Sequence, residues 1–225
     1  DVRDLSSAVE RVRRLLDADC DPVAVIEAFT GDPLIGPLVT ALPGLRVPGA
    51  VDGDELAVRA VLGQQVSLAA GRTAAAKLVR AYGEPLPALL GAPDVGPTHT
   101  FPTADRLAAL DLECLPMPRA RGRALLTLCR TLAEGAVRLD RGADRDAVRE
   151  SLIAIPGIGP WTADYVALRA LAHPDVFLPK DIGIRDALRG LGRDPSEATR
   201  LAADWSPWRS YAQLYLWHTL GLEDY

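Results

Sequence analysis

The 225-residue sequence has few of the side chains that usually build metal, redox or disulfide sites. Its three cysteines are odd in number and far apart, which is neither a disulfide framework nor the CxxC spacing of a redox or metal motif. The three histidines are no closer together, so a zinc site is not expected. The interpretation that remains is buried thiols in a reducing compartment: Cys20, Cys114 and Cys129.

Long apolar runs are also missing. No stretch reaches the roughly 18–20 uninterrupted apolar residues that a membrane-spanning helix needs. The N-terminus opens with Asp1, Arg3 and Asp4, which is not the pattern of a signal peptide. A content of 48% hydrophobic and 24% charged residues is typical of a globular domain. We therefore expect a soluble intracellular protein.

Lysine is nearly absent, since Lys77 and Lys180 are the only lysines among 25 basic residues. Arginine suits phosphate recognition, but a high-GC coding bias would produce the same excess. The net charge of −5 counts against a nucleic-acid partner if only the total is considered. However, Arg119, Arg121 and Arg123 cluster where a helix is predicted to begin. Composition alone therefore leaves the partner open.

What the sequence has in abundance is helical periodicity. Leu5, Val9, Val12 and Leu16 follow the three-to-four spacing of a one-sided helix. No strand alternation, heptad run or internal repeat accompanies it, so we expect an all-α protein of about ten helices in two lobes. The clearer helices cover residues 5–16, 22–29, 55–65, 68–82, 103–110, 119–137 and 144–154, and others begin at residue 161, after residue 181 and at residue 207.

Three segments are expected to be irregular. Residues 31–53 should loop around one short helical turn, and residues 173–180 should form a loop between helices. Residues 84–102 hold five prolines and two glycines; they predict a long surface connection that is prone to disorder.

A short Gly- and Pro-rich segment, Ile155–Trp161, separates two of the predicted helices. Gly157 and Gly159 permit positive φ and a close approach by another molecule, while Ile155 and Ile158 can anchor the turn in the core. Backbone N–H groups at a helix N-terminus form an anion site without any lysine, so an acidic protein can still bind phosphate here. A plain corner between two helices is the alternative.

In the order of its motifs, the chain resembles the helix-hairpin-helix DNA glycosylase superfamily, in which this hairpin is followed by a Gly/Pro-rich loop and an essential aspartate. The resemblance is closest to the alkylated-base branch, the bacterial 3-methyladenine DNA glycosylase II (AlkA-like) enzymes, and covers most of the chain. The matching segments are residues 14–17, 43–46, 61–67, 155–165, 176–181 and 205–217.

The resemblance implies a two-lobed helical HhH-GPD fold. N-terminal helices in residues 1–52 would pack on the second helical lobe, and residues 53–142 would form the central lobe. Residues 143–225 would hold the hairpin, the catalytic aspartate and the C-terminal helix. Because the familiar enzymes have an N-terminal antiparallel-sheet domain that this chain lacks, we expect a fragment, such as the C-terminal part of an Ada-type fusion.

By the resemblance, Asp181 is the catalytic carboxylate. Removal of a base breaks an N-glycosidic bond through an oxocarbenium-like sugar, which a nearby carboxylate stabilises. Alkylated purines carry positive charge and leave without a strong general acid. Judged from its neighbours alone, Asp181 is a good N-cap for the helix that starts at Ile182, and both roles can coexist. Asp164, Asp175 and Asp186 are expected to be solvated surface charges.

The reacting carbon is inaccessible in a duplex, so the base must be flipped out of the stack. The resemblance places Trp161, Tyr165 and Trp217 in the base pocket, where aromatic faces hold a cationic base. The alternative is that these aromatic residues belong to the core. The resemblance also places the wedge that fills the vacated space at Gln65. The remaining tryptophans are assigned to packing: Trp205 and Trp208.

Two absences define the subclass. Relatives that also nick the strand carry a lysine just after the hairpin, where this chain has Trp161. Water is therefore the expected nucleophile, and the strand should stay intact. Relatives with an iron–sulfur cluster need four cysteines near the C-terminus, and none follows Cys129. We expect no cofactor, although a monovalent cation could bind at the hairpin.

The expected function is therefore a monofunctional DNA glycosylase that removes alkylated bases from double-stranded DNA in base excision repair. It would act as a monomer in the bacterial cytoplasm, at the nucleoid. One alternative is a non-catalytic helix-hairpin-helix DNA-binding module, which would not need Asp181, Trp161 and Trp217 together. The other is a glycosylase for oxidised or mispaired bases, which the missing lysine and cysteines disfavour.

Overall fold

The computed structural model describes residues 2–87, 96–115, 117–140 and 142–221. Contacts divide the chain into a terminal unit, Asp1–Asp52 with Ala163–Tyr225, and a central unit, Gly53–Thr162. Within the described ranges all regular elements are helices, apart from one isolated bridge between Pro85 and His99. The all-α prediction is therefore confirmed. None of the described helices is long and apolar enough to cross a bilayer.

Twelve α-helices and three single-turn 3₁₀ helices make up the regular structure of the described residues. In chain order the α-helices are α1 (Leu5–Leu15), α2 (Pro22–Phe29), α3 (Ile35–Ala41), α4 (Gly53–Leu62), α5 (Leu68–Tyr82), α6 (Ala104–Ala108), α7 (Arg119–Ala133), α8 (Arg145–Ile153), α9 (Pro160–Arg169), α10 (Ile182–Gly190), α11 (Ala198–Ala203) and α12 (Arg209–His218). The boundary between the units falls inside α9. The sequence did not predict α11, because its buried face consists mainly of alanine and gives a weak period.

The predicted helix starts are set by side-chain caps. In each case a short polar side chain accepts a hydrogen bond from a backbone N–H of the first turn, which otherwise lacks a partner within the helix. The capping residues are Asp21 for α2, Ser67 for α5, Thr103 for α6, Asp144 for α8 and Asp181 for α10.

The central unit is built around α7, which contacts α4 and α6. Its buried residues recur along one side from Gly122 to Leu132, as expected of a helix with one side in the core. Cys129 lies on this side, where burial, followed by the charge of Asp54, raises the pKa of its thiol to about 12. The expectation of buried thiols is confirmed only for Cys129, since Cys20 is partly exposed and Cys114 is exposed.

The terminal unit is built around α12, whose residues from Ser210 to Trp217 are all buried. The helix contacts α3 and α10. Its two tyrosines donate hydrogen bonds to the N-terminal segment: the Tyr211 hydroxyl to Asp17 Oδ2 at 2.9 Å and the Tyr215 hydroxyl to Leu42 O at 3.0 Å. These bonds attach residues 1–52 to the C-terminal helix.

The tryptophans predicted to pack do so. Trp205 is buried and donates its Nε1–H to Asp32 Oδ2 at 2.8 Å. Trp208 is half-buried and meets the Tyr211 ring edge-on, with 5.5 Å between centroids. By contrast, the apolar stripe of α1 is exposed among the described residues, with Leu5 60% accessible.

One segment is grouped differently from the sequence prediction, and another lies partly outside the described residues. Residues 143–162, which the resemblance grouped with the C-terminal lobe, fall in the central unit. The reason is that the hairpin packs on α7, as shown below. In the connection predicted over residues 84–102, residues 88–95 lie outside the described part of the chain.

Candidate functional site

The hairpin between α8 and α9 begins with a tight turn. The Ile158 N–H donates to Ile155 O at 3.0 Å, and Gly157 has φ +97° at the third position of this turn. With Pro156 at the second position, this is the pattern of a type II turn, which requires positive φ at its third residue. The side chains of Ile155 and Ile158 are each 5% exposed. The turn is therefore anchored as the sequence predicts.

The two hairpin positions are occupied by glycine for different physical reasons. A Cβ on Gly157 would lie 2.9 Å from the Ala124 Cβ on α7, so both its φ and its packing exclude a side chain. Gly159 does not have positive φ, although glycine would permit it there. A Cβ on Gly159 would meet nothing within 4 Å. The Gly159 backbone is thus open to an approaching molecule at the start of α9.

Basic residues border the hairpin. The first turns of α7 carry Arg119, Arg121 and Arg123 and no acidic residue. Positive charge at a helix N-terminus opposes the helix dipole and is unfavourable by itself. Ala124 of α7 lies against the hairpin at Gly157, and the exposed Arg123 is its neighbour in the chain. This arrangement suits an anionic ligand near the hairpin.

The turn between α4 and α5 is tied to the hairpin by a residue that the sequence analysis gave no role. Gln64 Nε2 donates to Gly157 O at 3.1 Å and to Thr162 Oγ1 at 3.0 Å. Thr162 is buried, so this second bond is partly shielded from water. The sequence carries no clear signal for this role, because Gln64 lies inside the segment 55–65 that was predicted as one helix, whereas α4 ends at Leu62. Gln64 fixes the position of the predicted wedge relative to the hairpin.

The predicted wedge, Gln65, has a strained backbone. Its φ is +55°, in the left-handed region that glycine adopts easily and a glutamine does not. Its side chain is exposed. Such strain persists only where neighbouring contacts enforce it, and it is concentrated at functional sites.

Asp181 is both an N-cap and the acceptor of a tryptophan. Its Oδ1 accepts the Ile184 N–H at 3.1 Å and the Trp217 Nε1–H at 2.9 Å. The N-cap interpretation is thereby confirmed. Asp181 is half-buried, and Trp217 is 7% exposed. The structure thus brings these two predicted site residues together, with the indole N–H orienting the carboxylate.

The other predicted pocket residues lie one turn apart on α9. Trp161 is 37% exposed in its first turn. Tyr165 is half-buried, and the Arg169 guanidinium lies over its ring at 5.9 Å from the centroid. A role for these two rings in holding a base remains a prediction.

Asp175 is not the solvated surface charge that the sequence suggested. Its carboxylate forms a bidentate pair with Arg209, at 2.6 Å to Nε and 2.7 Å to NH2, and accepts the Ser206 hydroxyl at 2.8 Å. Burial raises the pKa of Asp175, but the hydrogen bonds from Arg209 and Ser206 outweigh it and lower the pKa overall. Asp186 matches the prediction, since it is exposed.

Comparison with known proteins places these features in one family. Residues 1–52, helical here, match a family model described as the AlkA N-terminal domain. A relative from Mycobacterium tuberculosis, a probable bifunctional transcriptional activator/DNA repair enzyme AlkA, is 47% identical over 98% of this chain. The chain spans only 44% of that protein's length.

Two further matches extend over more of the partner protein. DNA-3-methyladenine glycosylase 2 of Escherichia coli is 40% identical over 96% of this chain and 73% of its own length. The structure of 3-methyladenine DNA-glycosylase from Archaeoglobus fulgidus superposes with a TM-score of 0.79, over 99% of this chain and 78% of that one, at 20% identity. The chain therefore belongs to the family of DNA-3-methyladenine glycosylases of the AlkA type.

Proposed function

We propose that this chain is a monofunctional DNA glycosylase that flips alkylated bases of the 3-methyladenine type out of double-stranded DNA and hydrolyses their N-glycosidic bond. The observation that carries the proposal is the Asp181 carboxylate, held at the start of α10 by Trp217. The relatives named above support it, since their names describe DNA repair and 3-methyladenine glycosylase activity.

The role we assign to Asp181 is electrostatic. As the bond to the base breaks, positive charge develops on the sugar. At about 4 Å and an effective dielectric of about 20, a carboxylate stabilises a unit positive charge by about 4 kcal/mol, which is roughly a thousandfold in rate. The Trp217 N–H fixes the carboxylate before the charge develops, so no reorientation is needed during the reaction.

The leaving group supplies the rest of the driving force. A purine alkylated at N3 or N7 is cationic and departs as a neutral base, so the site needs no strong general acid. A cationic flipped base is attracted to aromatic faces, and this is the role we propose for Trp161 and Tyr165. We retain the prediction that Trp217 also lines the base pocket, in addition to its bond to Asp181.

The DNA backbone is proposed to bind at the hairpin. The start of α9 offers backbone N–H groups and the positive end of a helix dipole, and the open space at Gly159 lets a phosphate approach. Arg121 and Arg123 on α7 would add positive charge beside this site. A protein with a net charge of −5 can bind DNA in this way because the binding surface is local.

Water is the proposed nucleophile. The family's strand-nicking members place a lysine where this chain has Trp161, so no Schiff base with the sugar is expected. The product would be an abasic site in an intact strand. In the described residues, no group of three or more histidine, cysteine or acidic side chains is placed to hold a metal ion. We propose that the protein acts without a cofactor, as a monomer in the cytoplasm.

The proposal is tested by base release from duplexes that each carry one lesion: 3-methyladenine, 7-methylguanine or hypoxanthine. Asp181→Asn should lower single-turnover release about a thousandfold, because it removes the charge. DNA affinity should stay within about twofold, since asparagine still caps α10. Asp186→Asn is the matched control, because Asp186 is an exposed carboxylate on the same helix and should not affect release.

Each alternative has its own outcome in this assay. DNA binding without release of any base by the wild-type chain would identify a non-catalytic DNA-binding module. Release from an added duplex that carries an oxidised or mispaired base, with no release from the three duplexes named above, would reassign the substrate class. Strand breaks before alkali treatment would contradict the water-dependent mechanism.

A further inference from the structure

One side of α12 is hydrogen-bonded along the loop that leads to Asp181. This loop, Asp175–Asp181, is called the carboxylate loop below. Ser210, Gln213 and Trp217 are separated by three and four positions, so they lie on one side of α12. All three are buried. Each binds a successive part of the carboxylate loop.

The first contacts hold the beginning of the loop. Arg209 pairs with Asp175 through two hydrogen bonds. One residue later, the Val176 N–H donates to Ser210 Oγ at 2.9 Å, and the Ser210 hydroxyl donates to His173 O at 2.6 Å. The start of the loop is therefore fixed by both charged and neutral groups of the first turn of α12.

The next contact is made by Gln213. The Leu178 N–H donates to Gln213 Oε1 at 2.7 Å, where Leu178 is 2% exposed and Gln213 is fully buried. The N–H groups of Val176 and Leu178, two residues apart, therefore both donate to side chains of α12. A turn follows, closed by the Asp181 N–H and Leu178 O at 3.0 Å. The position of Leu178 thus helps to determine the position of the Asp181 backbone.

Gln213 is an energetically unfavourable residue at this buried position if it serves only to fill space. Within the described part of the chain, its Nε2 has no hydrogen-bond partner. A buried amide group without a partner is unfavourable, and leucine would fill a similar volume without that penalty. What leucine cannot do is accept the Leu178 N–H. A local rule broken in the interior, next to a candidate catalytic group, indicates a functional reason.

We propose that Ser210 and Gln213 are positioning residues that set the place of the Asp181 carboxylate through the carboxylate loop, with Trp217 as the last contact. The inference rests on the proposed function of Asp181. Such residues act on the chemical step and leave DNA binding alone. A misplacement of about 1 Å at a reacting group can slow a reaction about a hundredfold.

The test compares Gln213→Leu with Tyr215→Phe, each in the full chain. Gln213→Leu should lower the single-turnover rate of 7-methylguanine release about ten- to a hundredfold, with the Kd for an abasic-site duplex unchanged. Tyr215→Phe removes a hydrogen bond from the same helix, but that bond goes to Leu42 O and not to the carboxylate loop. It should leave the rate unchanged.

Two further measurements separate positioning from general stability. Amide exchange at Leu178 should accelerate in Gln213→Leu and not in Tyr215→Phe. In an Asp181→Asn background, Gln213→Leu should cause no additional loss of rate, because its effect passes through the carboxylate. Additive losses, or a rate unchanged by Gln213→Leu in the Asp181 protein, would overturn the inference.

The outcomes also distinguish this inference from the proposed function. If the wild-type chain released no base, the proposed function would fail, and unchanged exchange at Leu178 would then reject the positioning role as well. If Gln213→Leu does not fold, Ser210→Ala replaces it. That variant should lower the rate and speed exchange at Val176, and Ser210→Thr, which keeps the hydroxyl, should restore both. Failure of this restoration rejects the role.

Discussion

Replacing Gln65 by glycine should stabilise the protein and slow its reaction. A non-glycine residue in the left-handed region costs about 1–2 kcal/mol, and Gln65 has φ +55°. Glycine would relieve this strain but would lose about 0.5–1 kcal/mol through its freer unfolded chain. The net gain is about 0.5–1 kcal/mol, or an increase in Tm of about 1–4 °C for a chain of this size.

The same substitution removes the proposed wedge. Unstacking and unpairing a base costs a few kcal/mol, and without a side chain to fill the gap this cost is no longer offset. Losing as little as about 1.4 kcal/mol of that compensation slows base release about tenfold. We therefore expect the stability and the rate to move in opposite directions, which loss of folded protein could not produce.

Two further variants separate the side chain from the backbone. Gln65→Ala keeps a Cβ and therefore the strain, so its Tm should match wild type while its release rate falls as in Gln65→Gly. Gln65→Leu keeps the bulk and should retain most of the rate. Single-turnover release and the fluorescence of 2-aminopurine opposite the lesion report the reaction and the flipping. A Gln65→Gly protein with unchanged rate and fluorescence would refute the wedge, and one with a lowered Tm would refute the strain argument.

Three other outcomes are expected. Gly159→Ala should fold normally, because its Cβ meets open space, yet it should weaken duplex binding several-fold in a fluorescence-anisotropy titration. Gly190→Ala, where the added Cβ also meets open space, should leave duplex binding unchanged. Equal affinities of the two variants would reject phosphate binding at the hairpin. The pKa of Asp175 is lower in the folded chain than the unfolded value of about 3.9, so its ionised carboxylate stabilises the fold above that pH. This stabilisation is lost as the pH falls through the folded pKa. Asp175→Asn should therefore lower the free energy of unfolding in urea by about 1–3 kcal/mol at pH 7 and by much less at pH 3. Tyr211→Phe should lose about 1.5–3 kcal/mol, because the buried Asp17 carboxylate loses a donor, while base release per folded molecule stays unchanged; a slower release would place Tyr211 in the mechanism.

The helices were predictable because apolar spacing and capping residues are local signals. Asp21, Ser67, Thr103 and Asp144 all begin helices where the sequence predicts them. The same locality explains the misses. Alanine gives α11 little contrast between its two sides, so its period is weak.

The candidate site was predictable where the local backbone conformation alone requires a particular residue type. Gly157 occupies the positive-φ position that its turn requires. Gly159 instead borders open space, which only the three-dimensional surroundings reveal. The polar partners were missed because they act over long sequence distances: Asp175 meets Arg209, and Gln213 meets the backbone of Leu178. A buried polar residue within the apolar run of α12 was the one available signal.

The cap at Asp181 has an evolutionary consequence. Asparagine caps a helix about as well as aspartate, and a single base change in a codon converts one into the other. A single mutation would therefore give a protein that keeps α10 and the hairpin but lacks the negative charge of the Asp181 carboxylate. Descendants that bind damaged DNA without cutting the base could arise by that step, and Asn at position 181 would be their mark.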